Sequence, residues 1–292
     1  MPLVSIYMPT RNRRILLERA VASVQAQTFT DWELLIVDDG SQDDTSAYLS
    51  ELMQTDHRVR CIFNADAKGA CIARNLAISA ARGKYITGLD DDDEFLPERL
   101  QQLLNAYHEN LSFVCQGFIW QYGRFGRPVD TSDMTIGLDE LLSYNHATNQ
   151  VFTETYKLQQ IEGFNPIFPA LQDYDTWTRL LIAFGKGKRI AGASYIMHQG
   201  HEGPKIMSKT RQSEGFKLYQ RAYGHLMSET NRLNQEFLLH VVARSRLPLL
   251  LFFKLLRHQY RPQMLRYLLS SHAGPLARLR KQLLLKGFKC NS

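Results

Sequence analysis

The first ~115 residues alternate β-rich runs with segments of helical spacing, and few folds accommodate that rhythm. Val4-Ser-Ile-Tyr-Met8 is a short β-rich run ended by Pro9. Ile15 to Gln27 then sets Leu17, Ala20, Val21 and Val24 at helical spacing. Trp32-Glu-Leu-Leu-Ile-Val37 reads as a buried parallel strand covered on both faces. A helix from Asp44 to Met53, opened by an Asp or Thr cap, and a strand at Val59-Arg-Cys-Ile-Phe63 follow. The pattern then predicts a helix over Gly69 to Ala81, terminated by Gly83, and a strand at Tyr85-Ile-Thr-Gly-Leu89. A helix from Pro97 to His108 and a strand from Phe113 to Trp120 complete the series. The expected fold class is α/β, a mainly parallel central sheet with helices on both faces.

The rhythm weakens after Gln121. The stretch to about Ser213 has scattered Gly and Pro and two helix candidates, Leu138 to Tyr144 and Tyr174 to Phe184. Such a region usually builds the second wall of a cleft. The last part changes character again. Pro248, Pro262 and Pro275 each precede a Leu-rich basic segment, and proline suits the first helical position, so three short amphipathic helices are expected.

Charge divides the chain the same way. Phe237 to Ser292 holds eleven Lys and Arg and no Asp or Glu, which leaves the first 236 residues at net −5. A mildly acidic body therefore carries a strongly basic tail that calls for an anionic partner. The tail's aromatics are interleaved with leucine and no nucleic-acid motif is present, which favours an anionic membrane surface over nucleic acid. Packing of the tail on the body or on a second subunit is the competing reading. The longest strongly apolar run, Leu247 to Phe253, is far short of the ~20 residues that span a bilayer. No signal peptide is expected, and Cys61, Cys71, Cys115 and Cys290 show no metal-ligand spacing, so reduced thiols in the cytosol are expected.

Open parallel sheets bind ligands at the C-terminal ends of their strands. Three polar clusters fall there: Thr10-Arg-Asn12, Asp38-Asp-Gly-Ser41 and the run Asp90-Asp-Asp-Asp93. Four adjacent carboxylates repel one another, and a divalent cation would relieve them. Mg²⁺ and Mn²⁺ favour one or two carboxylates plus substrate phosphates. Asp38 or Asp39 could accept from a base or a ribose; alternatively Asp38, Ser41 and Asp44 only form a turn and a cap. A solvated acidic turn is the bland reading of the Asp90–Asp93 run.

At these residues the chain resembles the inverting family-2 glycosyltransferases of GT-A fold. Met8-Pro-Thr-Arg-Asn-Arg13, Leu35-Ile-Val-Asp-Asp-Gly-Ser-Gln-Asp-Asp-Thr45, Gly69-Ala-Cys-Ile-Ala-Arg-Asn75 and Gly83-Lys-Tyr-Ile-Thr-Gly-Leu-Asp-Asp-Asp-Asp93 match in order and spacing. The resemblance implies a Rossmann-like GT-A domain over residues 1–232. Its nucleotide-sugar half would be 1–120 and its acceptor half 121–232, with a helical, membrane-associating tail at 233–292. It places Pro9, Thr10, Asn12 and Asp39 on the nucleoside, and Asp90 and Asp91 on the donor side. It makes Asp92 the ligand of Mn²⁺ or Mg²⁺ in an Asp-x-Asp motif. Arg74 either touches the diphosphate or forms a buried pair with Asp90. Gly163 to Leu180 resembles the acceptor-side motif, with Gln172 where the family carries Glu and Asp173 at the catalytic base. Asp175 is the alternative base, or a cap. His198, or else His201, falls where the family places a histidine near the metal. Lys205, Lys209 and Arg211 either close over the diphosphate or form a solvated loop.

The function so implied is inverting transfer of a hexose from a nucleotide-diphosphate sugar, UDP-glucose or UDP-galactose in the first place, to a lipid-linked saccharide. A β-linkage would result, in bacterial O-antigen, capsule or lipopolysaccharide-core synthesis. The implied location is cytoplasmic, peripheral on the inner face of the inner membrane. A nucleotidyltransferase that makes the sugar nucleotide is one rival, but Pro9-Thr-Arg-Asn12 lacks the glycines of a triphosphate loop. A non-catalytic sugar-nucleotide or lipid-binding protein of the same fold is the other.

Overall fold

The computed structural model describes residues 1–199, 209–258 and 262–272. It opens with β1 (Val4–Thr10), α1 (Arg14–Gln25), β2 (Trp32–Asp39), α2 (Thr45–Thr55), β3 (Val59–Asn64), α3 (Ala70–Ala80) and β4 (Tyr85–Gly88). Strands β1 and β2 are buried along their whole length. Val4, Ile6 and Met8 share a core with Leu17, Val21 and Val24 of α1 and Leu49 of α2. Helix α3 packs against β1 and β2 as well. Covered strands of this kind have no polar face to show, which is why they read as continuous apolar runs.

The four strands pair in parallel in the order β3-β2-β1-β4. Helical crossovers connect them, as parallel pairing demands. Helix α3 ends at Ala80, so Gly83 is not its terminator. Gly83 instead lies where a Cβ would come within 2.6 Å of the Ser5 backbone nitrogen. Its lack of a side chain lets the chain pass close to β1.

The second half of the sheet is mixed. It comprises β5 (Glu94–Phe95), α4 (Arg99–Ala106), β6 (Val114–Tyr122), β7 (Phe125–Val129), β8 (Met134–Ile136), α5 (Leu138–Ser143), β9 (Phe152–Glu154), α6 (Thr155–Gln160), α7 (Gln172–Phe184) and β10 (Gly187–Gln199). The short β9 joins the halves by antiparallel pairing to β4 and β6, while β6 and β10 run parallel. The region expected to be irregular thus extends the same sheet. Strand β10 escapes a sequence reading because its burial is patchy and it carries bulges around Ile190 to Tyr195.

The chain divides into two compact units. One comprises Met1–Leu141, Asn145–Phe168 and Gln172–Pro204; the other comprises Leu142–Tyr144, Pro169–Leu171 and Lys205–Ser292. Helices α8 (Lys209–Tyr223), α9 (Glu229–Ala243), α10 (Leu249–His258) and α11 (Pro262–His272) belong to the second. Ser228 caps α9 by accepting from the Asn231 backbone N–H at 3.2 Å. Leu233, Phe237, Leu247, Leu251, Phe252, Leu255 and Met264 form this unit's core. Two of the three helices expected after the prolines are α10 and α11, and the one after Pro275 lies outside the described residues. No helix among the described residues is long and apolar enough to cross a membrane.

Candidate active site

Three adjacent strands deliver the polar clusters to one rim: β1 ends at Thr10, β2 at Asp39, and β4 leads into Asp90. The two aspartates closing β2 do different work. Asp38 accepts from the Ser41 backbone N–H at 2.9 Å and the Ser46 hydroxyl at 2.5 Å, so it orders the turn into α2. Asp39 accepts from the backbone N–H groups of Lys68 (2.8 Å) and Gly69 (2.7 Å) and from Asn64 Nδ2 (2.9 Å). Burial alone would raise its pKa, but these three bonds and the Arg11 charge hold it below the usual carboxylate value. It stays ionised and fixed, an acceptor at the strand end.

Asn12 takes a left-handed backbone (φ 53°), which asparagine tolerates better than most residues. Its backbone N–H donates to Ser41 Oγ at 2.9 Å and its Oδ1 accepts from the Gln42 N–H at 2.6 Å. The β1 and β2 loops are thereby tied together, with Pro9 and Thr10 just behind them.

The acidic run separates into four environments. Asp90 is paired with Arg74 (2.8 Å) and accepts from Asn149 (3.0 Å) and Gln150 (3.4 Å). Burial opposes its charge, yet Arg74 and Asn149 outweigh that and keep its pKa low. Asp91 accepts from the Thr10 hydroxyl at 2.8 Å and from Arg13 at 2.9 Å. Burial and the Asp92 charge nevertheless push it up to about 6. Asp92 is bonded by the same Arg13 guanidinium at 2.8 Å. Asp93 is buried and accepts from the His198 backbone N–H at 3.0 Å; burial and the charges of Asp92 and Asp90 raise its pKa well above normal. Arg13 straddles two carboxylates, as a forked guanidinium can. Arg74 is thus seen in the buried pair with Asp90, and it also lies over the Phe164 ring at 5.2 Å.

Asp173 sits in the first turn of α7, half-buried, with Asn145 Nδ2 donating to it at 3.1 Å. Burial raises its pKa to about 6. The charges of Arg74 and Asp90 act on it in opposite senses, and burial dominates. Asp175 is different: it is fully buried and ion-paired with Arg179 at 2.8 Å. Arg179 also donates to the carbonyls of Ile161 (2.5 Å) and Gly163 (2.6 Å), so Asp175 and Arg179 clamp the chain before α7.

His198 Nε2 bonds Glu94 Oε1 at 2.5 Å, and Arg19 approaches the same oxygen at 3.2 Å. A metal-ligand role for His198 would therefore run through Nδ1 or break that bond. His201, Lys205 and the side chain of Lys209 lie outside the described residues. Among the described residues no three His, Cys, Asp or Glu side chains converge as a closed metal site.

Several contacts had no assigned role in the sequence reading. The Tyr7 hydroxyl donates to Gln150 Oε1 at 2.7 Å, and Asn149 bridges Asp90 and the Tyr195 hydroxyl (3.3 Å). Tyr195 in turn accepts from the Asp90 backbone N–H at 3.2 Å. Arg13 stood inside a recognisable motif; Asn145, Asn149 and Gln150 carry no local signal.

Comparison with known proteins follows this geometry. Residues 5–168 match the model of "Glycosyl transferase family 2". A glycosyl transferase of Escherichia coli (strain K12) named for colanic acid biosynthesis is 34% identical over 84% of this chain and 90% of its own. A UDP-Glc:alpha-D-GlcNAc-diphosphoundecaprenol beta-1,3-glucosyltransferase of Escherichia coli is 39% identical over 38% of this chain and 44% of its own. Among solved structures, residues 1–349 of S. aureus TarS with UDP-GlcNAc superpose with a TM-score of 0.64 at 16% identity, covering 93% of this chain and 79% of that one. A mannosyltransferase from Pyrobaculum calidifontis with GDP-Man and Mn²⁺ gives 0.56 at 17% identity, over 94% and 87%. At those identities the structures speak to the fold, which is GT-A.

Proposed function

The chain belongs to glycosyl transferase family 2, and from that premise we propose that it transfers a hexose, with inversion, from a UDP-hexose to a lipid-linked saccharide. One arrangement carries this reading: the ends of β1, β2 and β4 bring Asn12, Asp39 and the Arg74-paired Asp90 to one rim, and Asn145 holds the Asp173 carboxylate that opens α7. A base poised near the working pH beside a donor-binding rim is what acid–base catalysis of transfer requires.

Asp39 and Asn12, with Pro9 and Thr10, would hold the nucleoside. Asp39 suits this role because its orientation is set by three donors before any ligand arrives. Asp90 and Asp91 would line the donor sugar and ribose, and Arg74 would orient Asp90. In the reaction, Asp173 takes the proton of an acceptor hydroxyl. The oxygen forms its bond to the anomeric carbon as the carbon–diphosphate bond breaks, and the electron pair leaves with UDP. Attack opposite the leaving group turns an α-linked donor into a β-linked product. Positioning both substrates supplies much of the acceleration.

A divalent cation fits the residues present. The acidic run offers hard oxygen donors, and burial together with the neighbouring carboxylates raises the pKa of Asp91 and Asp93. Mg²⁺ and Mn²⁺ sites complete themselves with substrate phosphates, so a closed protein cage is not needed. Asp92 and His198 would hold the ion, which would supply positive charge against the departing diphosphate. Binding of GDP-Man with Mn²⁺ by a structure of the same fold supports this.

The glucosyltransferase relative that acts on a diphosphoundecaprenol sugar supports a lipid-linked acceptor, and the colanic acid relative supports surface-polysaccharide synthesis. Residues 1–120 would hold the nucleotide sugar, 121–232 the acceptor, and 233–292 would keep the enzyme at the inner face of the membrane carrying it. The test is UDP release by purified protein with a panel of UDP-sugars, Mn²⁺ or Mg²⁺, and a GlcNAc-diphosphate-lipid analogue. Acceptor-dependent release with one donor, abolished by EDTA and restored by either ion, is expected. Release undiminished in EDTA would remove the metal; no release with any UDP-sugar, though UDP binds, would remove the transfer.

A further inference from the structure

Helix α10 is apolar on two sides, and among the described residues one of them is buried and the other exposed. Leu251, Phe252 and Leu255 are buried in the core of their unit with Leu247 and Met264. Leu249, Leu250, Phe253 and Leu256 are exposed, Leu250 at 71% and Phe253 at 58%. At 3.6 residues per turn, Leu249, Phe253 and Leu256 fall within an arc of about 60°, and Leu250 lies about 60° beyond Phe253. Exposed Arg257 and Lys254 flank Leu250 on this second sector of the helix. Helix α11 repeats the arrangement with exposed Leu265 and Leu269 one turn apart and exposed Arg266 beside them. Six large apolar side chains facing outward from two short helices are more than scattered surface leucines.

We infer that the exposed sides of α10 and α11 dock on an anionic lipid bilayer as a prefolded module. Charge selects this occupant: no acidic residue occurs from Phe237 to Ser292 among eleven basic ones. Apolar side chains enter the acyl boundary while Lys254, Arg257 and Arg266 meet lipid phosphates. A nucleic-acid backbone would use the charges and leave the leucines in water. Pairing of this face with the same face of a second copy would bring like positive charges together. The inner faces of both helices are already committed to the unit's core, so docking needs no refolding. Nothing here depends on the transfer reaction: a chain that bound no sugar nucleotide would still dock.

The full-length protein is floated with vesicles of phosphatidylcholine alone and of equal parts phosphatidylethanolamine and phosphatidylglycerol. Flotation is expected only with the anionic vesicles and should fall as salt is raised. Leu250→Ser with Phe253→Ser, both at exposed positions, should lower partitioning at least tenfold with an unchanged melting temperature. Lys254→Gln, Arg257→Gln and Arg266→Gln should each lower it about fivefold at low salt. Wild-type protein that stays unbound, or that binds both vesicle types equally, overturns the inference. So does a dimer in sedimentation that the Leu250→Ser, Phe253→Ser variant dissolves without any flotation of the wild type, or flotation abolished by competing DNA at constant salt.

Discussion

Replacing Asp173 by Asn tests the base through two independent readouts. The side chain stays nearly isosteric, and its oxygen can still accept from Asn145. Removing a general base typically costs about 10²- to 10⁴-fold in turnover. The second readout is stability. Burial raises the folded-state pKa of Asp173 from the ordinary 3.8 to about 6. The folded protein therefore holds this proton more tightly than the unfolded chain, and stability falls as pH rises between those values. Above both, the wild type carries the full penalty; below both, it carries none. At 1.36 kcal/mol per unit the upper bound is about 3 kcal/mol, and partial exposure reduces it to roughly 1–2 kcal/mol. Asp173→Asn should thus be inactive yet melt a few degrees higher than wild type at pH 8, with the gap closing toward pH 4. The acid limb of wild-type kcat/KM should lie near 6 rather than near 4. Near-wild-type turnover refutes the base; equal melting at both pH values refutes the burial argument even if activity is lost.

Two further changes probe the scaffold. Arg179→Met removes the Arg179 ion pair from the fully buried Asp175 and the guanidinium from the carbonyls of Ile161 and Gly163. A loss of about 3–5 kcal/mol in urea unfolding is expected, and less when Asp175→Asn is added; a loss under ~1 kcal/mol would show the clamp to be idle. Gly88→Ala would place a Cβ 2.2 Å from Gln150 Oε1 and 2.3 Å from the Tyr7 ring. The Tyr7–Gln150–Asp90 contacts must then give way, with a cost of roughly 1–3 kcal/mol and a drop in acceptor-dependent UDP release. Unchanged release and melting would show that this network does not position Asp90.

The parallel half of the sheet was legible because buried strands and amphipathic helices each write their own period into the sequence. Val4 to Met8 and Trp32 to Val37 could hardly be anything else. The mixed half was not, for a physical reason. β9 is three residues long and β10 carries bulges, so neither offers a period to read. Gly83 misled for a related reason. Its value lies in closeness to Ser5 across the sheet, and closeness between distant segments leaves no local trace.

The acidic run shows where sequence reasoning stops even when it finds the right residues. Asp90 to Asp93 look equivalent in one dimension, and repulsion among them is all that spacing reveals. Folding breaks the equivalence by bringing cations to some and burial to others. Asp90 receives Arg74 from α3 and Asn149 from the loop before β9, and stays ionised. Asp93 receives a backbone N–H from β10, and burial with the charges of Asp92 and Asp90 makes its pKa climb. Asp91 and Asp92 share Arg13, which a bound diphosphate could draw away because both are anions competing for one fork. Such a transfer would free Asp92 for a cation as the donor arrives, so donor and metal should bind cooperatively. Titrating Mn²⁺ with and without UDP, by calorimetry, measures that coupling. Arg13→Gln should tighten Mn²⁺ binding in the absence of UDP and flatten the difference UDP makes; a coupling unchanged by the substitution would mean Arg13 never leaves the two aspartates.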